Sequence, residues 1–187
     1  EFIEASFSKI IFNFKFIKAF FNSISISIIT GIFVSFFGLM ISCILVFNHK
    51  NFIFQQSLFL ASSMILIISP IIFSLGYFIF FQPIIHHWYI KFFIVILVNA
   101  IFLLPFAILI FFNNIKNLYF TYDDLRNAYR INVVSYFKIL FPLFKNNFLY
   151  VFSFSTVITF GDFTIISFFR SENFETLPSY LFKLIST

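Results

Sequence analysis

Charge is scarce in this chain: 10% of its 187 residues are Asp, Glu, Lys or Arg, where soluble domains average roughly 25%. Cysteine is nearly absent. Cys43 stands alone in an apolar run, which excludes an internal disulfide framework and any cysteine-based metal site. Glycine is also rare, and none of the four falls in a G-x-x-x-x-G-K-[ST] phosphate loop or a G-x-S-x-G nucleophile elbow. If the protein does energised work, another subunit must bind the nucleotide. The histidines are His49, His86 and His87. The adjacent pair splays on a helix and lacks the i, i+4 spacing of a helical zinc site, so they read as interface residues. Neither metal nor cofactor is expected. A net charge of +5 without a Lys/Arg cluster argues against nucleic acid as a partner. The chain opens on Glu1 with no short apolar segment and small-residue cleavage site, and reads as a piece of a longer protein.

What it has in abundance is apolar surface. Hydrophobic residues make up 61%, Phe alone supplying 37. A soluble fold of about 150 residues still exposes some 30% of its unfolded surface, so this much apolar side chain has nowhere to hide from water. The solvent must be a lipid bilayer. Four apolar stretches reach the roughly 20 residues that cross a hydrocarbon core: Ile24–Phe47, Leu58–Phe81, Phe92–Phe112 and Phe148–Phe169. None contains Lys, Arg or Glu, and Asp162 is their only acidic residue. The expected fold is all-α, a polytopic transmembrane helix bundle of about four spans.

Pro70 and Pro105 fall inside the second and third stretches and read as kinks tolerated within a bundle. Gly31, Gly38 and Gly76 are expected to let helices approach closely, as is Gly161 beside Asp162. Residues 48–57 and 82–91 read as short polar connections, the second carrying Trp88 and Tyr89 for the interfacial belt. Residues 113–147 form the longest internal polar segment. Within it Thr121-x-x-Asp124 matches a capping box, and Leu125, Ala128 and Tyr129 recur at helical spacing. The segment reads as a short helix, a break near Asn132, a second short helix and Pro142, all outside the lipid; a bland amphipathic loop on the membrane fits the composition as well. Lysine and arginine divide evenly between the two sides, so charge leaves orientation open.

The segment "KILFP", Lys138 to Pro142, is similar to the right half of the E-A-A-x-x-x-G-x(9)-I-x-L-P loop of bacterial ABC importer permeases. Counting back from Pro142 puts Asp123 at the Glu and Tyr129 at the Gly; counting forward from "YDDLRNAYRIN" puts Asp124 and Arg130 there. Neither register has the glycine, and Asn132, which tolerates left-handed geometry, is expected to take over the turn. "YDDLRNAYRI", "TFGDFTIISFF" and "NFETLPSYLFKLI" together resemble the C-terminal half of thiamine permeases over roughly residues 22–187.

That resemblance implies a single permease domain over 1–187, lacking a final span and the preceding half. It places loop 113–147 in the cytoplasm and 170–187 in the periplasm. It also implies that Asp123, Asp124, Ala128, Tyr129, Arg130, Phe137, Lys138, Ile139 and Pro142 belong to a coupling helix gripped by a cytoplasmic ATP-binding subunit. A periplasmic solute-binding protein and a second permease half would complete an inner-membrane, multi-pass importer of thiamine or its phosphate esters. The protein would be a transport subunit and not an enzyme. Iron(III) or polyamine permeases, which share a looser G-[DE]-F and T-L-P, are the alternative, and a non-transporting membrane scaffold a further one. Gly161 and Asp162 are the translocation-path candidates: a carboxylate in a span faces either a water-filled path, where it would attract a cation, or a hydrogen-bonding partner that locks the bundle.

Overall fold

The computed structural model of the chain describes residues 14–47, 56–57, 60, 64–65, 67–85, 87–129, 133–171 and 174–186. Their regular structure is helical: α1 (Phe14–Phe47), α2 (Pro70–Phe81), α3 (Trp88–Tyr129), α4 (Val133–Gly161), α5 (Thr164–Phe169) and α6 (Leu177–Ser186). One isolated antiparallel bridge joins Ser171 and Phe174. Two helices hold stretches long and apolar enough to cross a membrane, Phe14–Val46 and Trp88–Leu118. They contain the first and third apolar stretches read from the sequence.

Packing divides the chain into two compact units. The first comprises Glu1–Thr30, Ile68–Ala100 and Thr156–Thr187, the second Gly31–Ile67 and Ile101–Ser155; α1, α3 and α4 contribute residues to both. In the first unit Ile26 of α1, Val95 and Val98 of α3, and Ile165, Ile166 and Phe169 of α5 share one core, with Phe73, Tyr77 and Phe78 of α2 against it. In the second, Val34, Leu103, Phe111 and Val151 are buried. Gly38 has its place there for a steric reason. A Cβ built on it would meet the Ala107 Cβ at 2.6 Å, so only glycine lets α1 and α3 come this close. The same approach lets the Ser42 hydroxyl donate to the Ile108 carbonyl at 3.3 Å.

α1 departs from a water-soluble helix on both faces: it buries hydroxyls among apolar residues such as Ala19, Ile26 and Val34, and it exposes large apolar side chains. Its buried face carries Ser23, Ser27, Thr30, Ser35 and Ser42, while Phe33, Phe36, Phe37, Met40 and Ile44 stand exposed. In water such a helix would turn over, because burying each large apolar side chain stabilises by about 1.5–3 kcal/mol. In lipid it is stable as it stands: apolar groups meet acyl chains, and small residues let helices pack. Ser27 and Ser35 satisfy their hydroxyls within α1 by donating to the Ile24 and Gly31 carbonyls, whereas among the described residues the Thr30 hydroxyl has no hydrogen-bond partner. Exposed Ile71, Ile72, Ile79 and Phe80 continue the pattern on α2. These features identify a helical protein suited to a membrane.

Several local expectations change. Pro70 does not kink a span but opens α2 at its first turn, and Ser69 before it is extended (φ −59°, ψ 134°). The steric rule against α conformation ahead of proline explains the break, and the missing N–H is harmless at a helix start. Pro142 lies inside α4 rather than closing a helix. Thr121 is no N-cap: its hydroxyl donates to the Asn117 carbonyl at 2.8 Å, within α3. A capping box needs N–H groups left free at a helix start, and α3 runs through this point without one. Among the described residues nothing lies within 4 Å of a would-be Cβ on Gly76 or Gly161, so neither serves a close approach there.

Candidate functional site

The fourth apolar stretch is broken at its carboxylate. Helix α4 ends at Gly161, and the Asp162 N–H bonds the Thr159 carbonyl at 3.3 Å, tightening the last turn. Gly161 is a weak helix former, and the aspartate after it offers the backbone an alternative partner. Its Oδ1 accepts from the N–H of Thr164 at 2.9 Å and of Ile165 at 3.3 Å. Those donors begin α5 and would otherwise be orphaned. The carboxylate thus holds a short helix that restarts two residues after a long one stops.

Among the described residues, Asp162 Oδ2 is buried with no hydrogen-bond partner, as is the Thr159 hydroxyl one turn before it. Asn99 of α3, 2% exposed, approaches the same carboxyl group while its Nδ2 donates to the Val95 carbonyl at 3.1 Å. The surroundings are aromatic. Phe163 packs on Phe182 of α6 with centroids 4.8 Å apart, and Phe169 meets Phe78 of α2 edge-on at 5.6 Å. One oxygen anchors the backbone; among the described residues the other has no hydrogen-bond partner, with Asn99 the polar side chain beside it. Sequence inspection singled out Asp162 but not Asn99 or Thr159, since a buried amide and hydroxyl in apolar helices carry no signal until a third helix brings a charge beside them.

The residues expected to form the coupling element fall on both sides of the α3–α4 junction. Asp123, Asp124, Ala128 and Tyr129 lie on the last turns of α3, and Phe137, Lys138, Ile139 and Pro142 on the first turns of α4. Arg130 and Asn132 lie outside the described residues. Near the same end of α3, Lys116 Nζ stands 5.8 Å from the centroid of the Phe112 ring, a cation–π contact where the apolar part of the helix gives out. At its other end Trp88 and Tyr89 are exposed, the Tyr89 ring stacked on His87 at 5.2 Å, as suits a membrane–water boundary.

Among the described residues, no group of three or more His, Cys, Asp or Glu side chains is placed to hold a metal ion. No family model matches the chain. The thiamine transport system permease protein ThiP of Salmonella typhimurium is 30% identical over 95 residues, which is 50% of this chain and 18% of that protein. The chain therefore shares a partial, distant similarity with a bacterial transport permease, and that similarity is consistent with a non-catalytic transport subunit.

Proposed function

We propose that this chain is part of the membrane-spanning permease of an ATP-driven importer that carries thiamine or its phosphate esters across the cytoplasmic membrane. The observation that carries this reading is the similarity to a thiamine transport permease in a chain whose helices turn apolar faces outward. In this reading all four apolar stretches cross the bilayer, and the α3–α4 junction is the cytoplasmic knob seated in an ATP-binding subunit. ATP-driven closure of that subunit's dimer would move the knob and rock the helices between outward and inward openings. A periplasmic solute-binding protein would deliver the solute, and a second permease half would complete the channel.

Asp162 gives the reading its chemistry. Thiamine carries a fixed positive thiazolium, and an intramembrane carboxylate that faces a path attracts a cation. Oδ1 is committed to α5, leaving Oδ2 to act at long range, and aromatic faces nearby add cation–π attraction. The helix break puts this charge on a discontinuous helix, as in membrane transporters whose half-helices line the substrate site. The test is reconstitution of the full-length protein with its co-purified ATP-binding subunit in proteoliposomes. ATP-dependent accumulation of labelled thiamine is expected. Accumulation of iron(III) or a polyamine instead would overturn the substrate, and failure of any ATP-binding subunit to co-purify would overturn the importer.

A further inference from the structure

Hydroxyls on these helices follow one habit, and Thr159 departs from it. Ser27, Ser35, Ser74 and Thr121 each donate to a carbonyl three or four residues back in their own helix, at 2.7–3.0 Å. That bond is open to any serine or threonine inside a helix. Thr159, 2% exposed near the end of α4, does not make it, and among the described residues its hydroxyl has no hydrogen-bond partner. Thr30 of α1 shares that lack. What sets Thr159 apart is an acceptor three residues on, Asp162 Oδ2, which among the described residues is buried and unmatched as well.

Residues three apart on a helix stand on one side of it, and the bond from the Asp162 N–H to the Thr159 carbonyl carries the turn through this pair. Asn99 of α3, also 2% exposed, closes the group: its Nδ2 donates to the Val95 carbonyl, and the amide approaches the Asp162 carboxyl. All three residues belong to the first unit. Burying a hydroxyl and a charged oxygen without partners is costly, and protein interiors avoid it by seating a water, which takes about two to four polar partners. The groups are complementary to one: the Thr159 hydroxyl can donate to a water oxygen, and that water can donate to Asp162 Oδ2. A bare cation fits less well. Hard cations such as calcium and magnesium take about six to eight oxygens, more than these three side chains offer.

We propose that Thr159, Asp162 and Asn99 hold a single ordered water, which accepts from the Thr159 hydroxyl and donates to Asp162 Oδ2. A bond made through such a water is nearly as favourable as a direct one. Both oxygens of the carboxylate are then engaged, Oδ1 by the N–H groups that open α5 and Oδ2 by the water. The water ties the last turn of α4 to the break that follows it and holds the carboxylate in one orientation. Its role is positioning, and the site does not depend on which solute the protein carries.

The experiment is a density map of the full-length protein in nanodiscs, at a resolution that shows ordered water, for the wild type and Thr159→Val. The wild type should show one peak about 2.5–3.0 Å from both Thr159 Oγ1 and Asp162 Oδ2. Thr159→Val keeps the shape of the side chain and removes its hydroxyl, so the peak should vanish. Equilibrium unfolding supplies a second readout. Thr159→Val should shift the folding equilibrium about fivefold toward the unfolded chain, the size of one net hydrogen bond. In an Asp162→Ala background, where the water has lost its acceptor, the same substitution should have no effect. A third arm compares thermal unfolding in sodium chloride and choline chloride at equal ionic strength, and the two should agree. A direct Thr159–Asp162 hydrogen bond, or no peak in the wild-type map, would overturn the proposal. So would an equal effect of Thr159→Val in both backgrounds. Stabilisation by sodium over choline that Asp162→Asn abolishes would also overturn it, by making the occupant a cation.

Discussion

Replacing Gly38 by Ala adds a single methyl group, and the structure says where it goes. Its carbon would sit 2.6 Å from the Ala107 Cβ, 3.5 Å from Phe111 Cδ2 and 3.6 Å from the Ala107 carbonyl carbon. Carbon atoms prefer about 3.5–4.0 Å, so α1 and α3 must part by about 1 Å at this crossing. Overpacking of this kind costs about 1–3 kcal/mol, a roughly 5- to 150-fold change in the folding equilibrium. The Ser42 to Ile108 hydrogen bond, one turn along α1, would lengthen with it. Gly76→Ala is the matched control: among the described residues nothing lies within 4 Å of the new carbon. There the lower backbone entropy of alanine should stabilise α2 by about 0.5–1 kcal/mol. Equilibrium unfolding in mixed detergent and dodecyl sulfate micelles would measure both. A double-mutant cycle with Ala107→Gly isolates the clash, and Gly38→Ala with Ala107→Gly should recover at least about 1 kcal/mol of coupling. If Gly38→Ala is as stable as the wild type, or if the cycle shows no coupling, the close crossing is wrong.

The cap and the path at Asp162 separate by substitution. Asp162→Asn keeps an oxygen for Thr164 and Ile165, so the amount of protein in the membrane should hold while cation uptake falls; unchanged uptake would remove the carboxylate from the path. Asp162→Ala should also lose about 1–3 kcal/mol of stability by leaving the Thr164 and Ile165 N–H groups without an acceptor, read as a lower unfolding midpoint. Phe36→Lys, on the exposed face of α1, should raise the cost of membrane insertion by about 2.5–3.5 kcal/mol near a span's centre. A glycosylation-mapping insertion assay reads that, and full tolerance would argue that the face meets water. Ser23→Ala strands the Leu177 N–H and should cost about 1–3 kcal/mol, whereas Ser27→Ala, whose hydroxyl bonds only its own helix, should be nearly neutral in the same unfolding measurement.

How legible these features were depended on the range of the physics behind them. Ile24–Phe47 and Phe92–Phe112 were recognisable as span-length helices because the bilayer's demand is additive, one apolar residue after another. Helix ends were less legible. Thr121 has the side chain of an N-cap, yet no free N–H follows it because α3 had already formed through the position. Pro70 could kink or start a helix; the extended Ser69 decides for a start. At Asp162 the residue type announced a costly carboxylate but not its partners, since the Thr164 and Ile165 donors exist only once the chain has broken at Gly161.

From the order of its amino acids alone this chain determines its solvent and its class: too little charge and too many apolar runs for water, hence helices for lipid. Which glycine is a contact and which is idle, which oxygen of Asp162 is spent and which is left over, and that Asn99 lies beside it were decided by tertiary structure alone. Hydrophobic transfer sums over residues wherever they lie, while steric fit, hydrogen bonding and charge pairing depend on which residues meet, and only the folded chain sets those meetings.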